Sequence, residues 1–195
     1  MSNSTTSLAA LLSSLTDDKV VNRLSQSSQA KPDQVAQLIQ LGIPTLVQAL
    51  KNNASSPNGA LSLNKALDQH ASDPVHDLGS FMDQLDPQDG SKIIGHILGS
   101  NTNKVQTKLG AQTGLGSDQV GSLLSSLAPI LMGTLAQQKK SGASSGMDIG
   151  GLLGGLLGGS GDDMAKMAMG FLDSDHDGDV MDDVGKLLGG FLNKR

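Results

Sequence analysis

The densest chemistry in the chain is an eleven-residue run, Asp173-Ser174-Asp175-His176-Asp177-Gly178-Asp179-Val180-Met181-Asp182-Asp183. Calcium takes about six to eight hard oxygen ligands. A loop meets that demand when its first, third and fifth residues supply carboxylates and a glycine at the sixth makes the sharp turn. Asp173, Asp175 and Asp177 stand in those three places, and Gly178 follows them. Asp179, in the seventh place, offers its backbone carbonyl, and Val180 is the apolar residue that turns inward. The spacing predicts a Ca²⁺ site held by Asp173, Asp175, Asp177, Asp179 and Asp183.

The run departs from an EF-hand at the twelfth place, where a bidentate Glu belongs and Val184 stands. Asp182 or Asp183 must close the loop instead, with a side chain one methylene shorter. Dockerin-like single loops vary at the same point. A lone loop with a shortened ending predicts weak binding, on the order of 10⁻⁴–10⁻³ M. Six carboxylates within eleven residues repel one another without a cation. Magnesium fits less well, because it demands a rigid octahedral shell and keeps several waters. The alternative is a metal-free acidic loop that only caps a helix starting near Val184, where carboxylates are stabilising on their own.

Other chemistry is thin. Cysteine is absent, which removes disulfides, thiolate metal sites and cysteine nucleophiles. Zinc needs three or four convergent ligands. His70 and His76 are six positions apart with Pro74 between them, and so lie on different helical faces. His96, among Ile93, Ile94, Ile97 and Leu98, is expected to be a hydrogen-bonded, partly buried packing residue, and His176 to face solvent. Gly114-Leu115-Gly116 lacks the third glycine and the preceding strand of a dinucleotide site. No serine sits in a nucleophile elbow. The expected protein is therefore not an enzyme. No basic stripe or aromatic platform is present, which weighs against nucleic acid.

Two tail helices must position the acidic loop, Met164 to Leu172 before it and Val184 to Leu192 after it. The tail also carries the charge: residues 161–195 hold 8 Asp against 4 Lys and Arg, whereas residues 1–160 hold 11 against 10. Residues 141–161, with Gly150-Gly151-Leu152-Leu153-Gly154-Gly155-Leu156-Leu157-Gly158-Gly159, are expected to form a flexible linker, since glycine costs about 1 kcal/mol per helical position. The minor reading of that run is an apolar segment that docks on a partner or a membrane. It is too short to span a bilayer. No positive n-region precedes Leu8–Leu12, so the default expectation is a cytoplasmic protein, its partner and oligomeric state unassigned.

Residues 1–140 read as an all-α domain built from a duplicated helical unit. Shifted back by 85 positions, Leu109 falls on Leu24, Asp118-Gln119-Val120 on Asp33-Gln34-Val35, and Pro129 on Pro44. Leu8, Leu11, Leu12 and Leu15 have helical spacing, as do Val20, Val21 and Leu24 after Thr16 or Asp17 as cap. Pro32 suits a first turn. Pro44 and Pro129 predict a break or kink in each copy, because proline inside a helix costs about 3 kcal/mol. Asn52 to Gly59 reads as a loop before a helix over Leu61 to His70. Asp73-Pro74 reads as a helix start, Asp86-Pro87 as its end, and Ser91 as the start of the next helix, stopped by Gly99.

Two passages resemble a known family: Asp89-Gly90-Ser91-Lys92-Ile93-Ile94-Gly95-His96-Ile97-Leu98-Gly99, and Thr113-Gly114-Leu115 followed by Leu123-Leu124 and Leu127-Ala128-Pro129-Ile130-Leu131-Met132-Gly133-Thr134-Leu135. They resemble the bacterial domain-of-unknown-function 937 family (DUF937), which includes YidB-like proteins, over roughly residues 8–140. The resemblance implies an all-α fold and a bacterial source. It brings no activity and no catalytic residues.

Overall fold

The structure is a computed structural model and describes residues 8–142 and 149–158. Among these residues every regular element is helical, and no strand occurs. The helices are α1 (Leu8–Leu15), α2 (Asp18–Ser28), α3 (Pro32–Ala54), α4 (Pro57–Gln69), α5 (Leu78–Met82), α6 (Pro87–Leu98), α7 (Thr102–Thr113), α8 (Ser117–Gly142) and α9 (Ile149–Gly158). A 3-10 turn over Gly99–Asn101 joins α6 to α7.

Two long helices form the centre. Every residue of α3 from Gly42 to Leu50 is buried, and α8 is buried at Leu127–Gly133 and again at Leu135 and Ala136. A helix that is apolar all round belongs in a core. The others wrap these two. α6 and α7 lie along α8, and α1, α2, α4 and α9 lie along α3. The core is aliphatic, with Phe81 its one buried aromatic among the described residues. α8 is also the one described helix long and apolar enough to cross a membrane, with mean hydropathy 1.3. Within the bundle 72% of that stretch is covered by protein.

Local signals explain most boundaries. The Asp17 carboxylate caps α2 by accepting from Lys19 N at 3.0 Å. Ser56 caps α4 by accepting from Gly59 N at 3.1 Å. Pro32, Pro57 and Pro87 each open a helix, where the missing N–H is no loss.

Four expectations are corrected. First, α3 and α8 continue as helix through Pro44 and Pro129, so neither proline makes the expected break. Both prolines are buried, and packing on every side outweighs the local cost of proline. Second, Asp86-Pro87 starts α6 and does not end a helix. Asp86 accepts from Gln88 N at 2.8 Å, so Ser91 lies inside that helix. Third, Asp73-Pro74 opens a turn, because the Asp73 carboxylate is engaged by His70. The short α5 begins only after Asp77, whose carboxylate accepts from Ser80 N at 3.2 Å and Ser80 Oγ at 2.8 Å. Fourth, α3 reaches Ala54 and α4 begins at Pro57, so little of Asn52–Gly59 is loop.

Part of the stretch expected as a flexible linker over 141–161, Ile149–Gly158, forms the helix α9. Ile149, Leu152, Leu153 and Leu156 lie one helical turn apart on one face and are buried against α3, α4 and α8. Burying each such side chain gains about 1.5–3 kcal/mol. That gain offsets the weak helix propensity of a segment in which five of ten residues are glycine.

Candidate functional site

The predicted ligands Asp173, Asp175, Asp177, Asp179 and Asp183 all lie outside the described residues, as do His176 and both tail helices. Among the described residues no group of three or more His, Cys, Asp or Glu could hold a metal. Three polar or apolar constellations stand out within them.

One joins the α4–α5 connection to the end of α8. His70 Nδ1 lies 2.8 Å from Asp73 Oδ2, and both side chains are largely buried. Gln137 Nε2 donates to Asp73 O at 3.1 Å, and Lys140 Nζ donates to Ala71 O at 2.9 Å. Lys139 Nζ meets Asp68 Oδ1 at 2.7 Å. The His–Asp pair has the partners of an acid–base dyad. Its surroundings, however, tie a turn to a helix end. His76 and His96 are exposed and stand apart from this pair, so His96 is not the partly buried packing residue expected. The His96 carbonyl accepts from Asn53 Nδ2 at 3.3 Å.

A second constellation is reciprocal. Gln34 Nε2 donates to Thr113 O at 3.1 Å and Gly114 O at 3.0 Å, closing the end of α7. Gln119 Nε2 donates to Ser28 O at 3.1 Å and Gln29 O at 3.2 Å, closing the end of α2. Each amide oxygen also accepts from the backbone ahead of its own helix: Gln34 Oε1 from Lys31 N at 3.2 Å, and Gln119 Oε1 from Gly116 N at 3.1 Å. The last carbonyls of a helix have no partner within it, so such donors satisfy groups that burial would otherwise leave unpaired. The chain then reverses at Gln29, φ 53°, and at Gly114, φ 70°, the two left-handed positions that end α2 and α7. Sequence reading missed this pair, although Asp-Gln-Val at both 33–35 and 118–120 was the available signal.

The third is apolar, the seat of α9. Its walls come from α3, α4 and α8, and its occupant is the Ile149, Leu152, Leu153, Leu156 stripe. The spacing i, i+3, i+4, i+7 was legible in the sequence and was hidden by the glycines between.

On the surface nearby, Arg23 joins α2 to the α5 region. Its guanidinium pairs with Asp83 and donates to Gly79 O at 3.0 Å. The Asp77 carboxyl is held below its ordinary value, first by the hydrogen bond from the Ser80 hydroxyl and then by the Ser80 backbone N–H, with a smaller contribution from His76.

A family model described as a bacterial protein of unknown function, DUF937, matches residues 10–138, about two-thirds of the chain. The matched stretch covers nearly all of α1 to α8 and stops before α9. Comparison with curated proteins and with solved structures found no match.

Proposed function

The chain belongs to the bacterial family DUF937, and from that premise we propose that it is a non-enzymatic helical protein with a weak calcium-binding loop over residues 173–183. The observation that carries this reading is the alternation of Asp173, Asp175 and Asp177 ahead of Gly178. The body would be a duplicated three-helix unit, α1–α3 repeated as α6–α8. Two observations support this: the 85-position sequence match, and the reciprocal bonds of Gln34 and Gln119, which connect equivalent residues under the same shift. The titratable pair of the body, His70 and Asp73, has a supporting role at the α4–α5 turn.

The test is a calcium titration of the full-length protein by calorimetry, with backbone NMR following residues 164–192. The expected result is saturable binding in the 10⁻⁴–10⁻³ M decade, roughly as for extracellular calcium modules, and new ordered resonances in the tail. Heatless addition with unchanged tail resonances at millimolar Ca²⁺ would remove the reading. It would leave a metal-free helical interaction module whose acidic run only caps a helix. The docked α9 favours that second reading, because it shows the body accepting an apolar helix on its surface.

A further inference from the structure

α9 is built unlike the helices it packs on. Five of its ten residues are glycine, the residue that disfavours helix most apart from proline. Glycine is needed in a packed helix where another backbone comes too close for a Cβ. At Gly154 and Gly155 no such approach exists among the described residues: a Cβ at either position would meet nothing within 4 Å. Alanine would fit both positions and strengthen the helix. Packing among the described residues therefore does not explain these two glycines, and their effect is to keep α9 weak on its own. The walls of the seat lie mostly inside the family-matched residues 10–138, while the occupant lies wholly outside them. α9 also carries no charged residue, so nothing electrostatic separates one copy of it from another.

We propose that the seat on α3, α4 and α8 is a helix-binding groove that takes the Ile149, Leu152, Leu153, Leu156 stripe of a second copy of this chain, so that the protein self-associates by exchanging α9. The groove fits that stripe, as the docked α9 demonstrates. The tethered α9 competes at an effective concentration of roughly millimolar order, so exchange is favoured at high chain concentration. This inference does not depend on the acidic loop binding calcium.

The experiment is analytical ultracentrifugation of the full-length protein, from about 1 μM up to the roughly millimolar range set by the tether. The wild type should shift from monomer towards dimer as concentration rises. Leu153→Asp, which places a charge in the buried stripe, should stay monomeric throughout. Gly154→Pro should do the same by breaking α9. It leaves every residue of the groove walls unchanged, so it keeps the test valid if Leu153→Asp folds poorly. A synthetic peptide of residues 149–158 with added terminal lysines should dissolve the wild-type dimer and bind Gly154→Pro more tightly than wild type. A wild type that remains monomeric at the top of the range overturns the proposal. So does a dimer that survives in Gly154→Pro, or one that the peptide leaves intact.

Discussion

Gly90 stands against the Ser125 carbonyl: a Cβ on Gly90 would lie 1.9 Å from Ser125 O. Ser125 is four residues before Pro129, which has no N–H to give it. The buried proline thus leaves a carbonyl without its usual donor, and the missing side chain on α6 lets the two backbones meet there. Their contact is reinforced by Ser91 Oγ, 3.2 Å from Ser125 Oγ. Gly90→Ala should push α6 off α8 and destabilise the protein by about 3 kcal/mol, at the upper end for overpacking. Urea denaturation measures this. A change below about 0.5 kcal/mol would show that the approach is not as close as the structure has it.

The two glutamines that close each other's helix ends should behave as equals. Gln34→Ala and Gln119→Ala each remove one amide that donates to two carbonyls and accepts from one N–H. Part of each site is open to water, which can replace the lost partner. A cost of about 1 kcal/mol apiece is expected. That corresponds to a fall in Tm of about 2–4 °C for a protein of this size. Calorimetry of the two variants checks the symmetry: a large cost at one site with none at the other would contradict it.

The paired reversals give opposite results. Gln29 holds φ 53° with a side chain, whereas Gly114 holds φ 70° without one. The left-handed region costs a side-chain-bearing residue about 1–2 kcal/mol. Gln29→Gly should therefore stabilise the fold by up to about 1 kcal/mol. Gly114→Ala should destabilise it, since its Cβ would also come within 3.1 Å of Gln34 Nε2. Denaturant midpoints of the two variants should move in opposite directions.

These positions also show what the sequence made legible. Apolar spacing placed α1 and α2, because burial of one face leaves its period in the residue order. The prolines misled, for two reasons. Asp-Pro means a helix start at 86–87 and a turn at 73–74, and the difference is His70, three residues earlier, which takes the Asp73 carboxylate. Pro44 and Pro129 look like breaks until the helices packed around them are known. The α9 stripe was hidden for a similar reason: propensity is local, and the groove that stabilises the helix comes from α3, α4 and α8. The acidic loop was legible as chemistry, with its residues outside those the structure describes.

Asp77 carries a pH signature. Its carboxyl is held below the ordinary aspartate value mainly by the Ser80 hydroxyl, then by Ser80 N–H. A depressed folded-state pKa contributes stability that is present above the unfolded value and is lost as pH falls through the folded one. Ser80→Ala should raise the Asp77 pKa towards the ordinary value and reduce this acid-side contribution. A side-chain carbon NMR titration reads the midpoint directly. An unchanged Asp77 midpoint in Ser80→Ala would assign the depression to the backbone bond or to His76 instead.

The acidic loop and the body should respond separately to mutation. Asp173→Ala and Asp177→Ala each remove one of the alternating carboxylates proposed as calcium ligands, and also one of the charges whose mutual repulsion a cation would relieve. Each variant should lose calcium binding by at least tenfold, about 1.4 kcal/mol. Thermal unfolding of the helical body without calcium should stay within about 0.5 kcal/mol of wild type, as for surface substitutions. Calorimetric titration beside a far-ultraviolet melt separates the two effects. Loss of body stability in step with loss of metal would mean that the loop packs on the bundle and is not carried beside it.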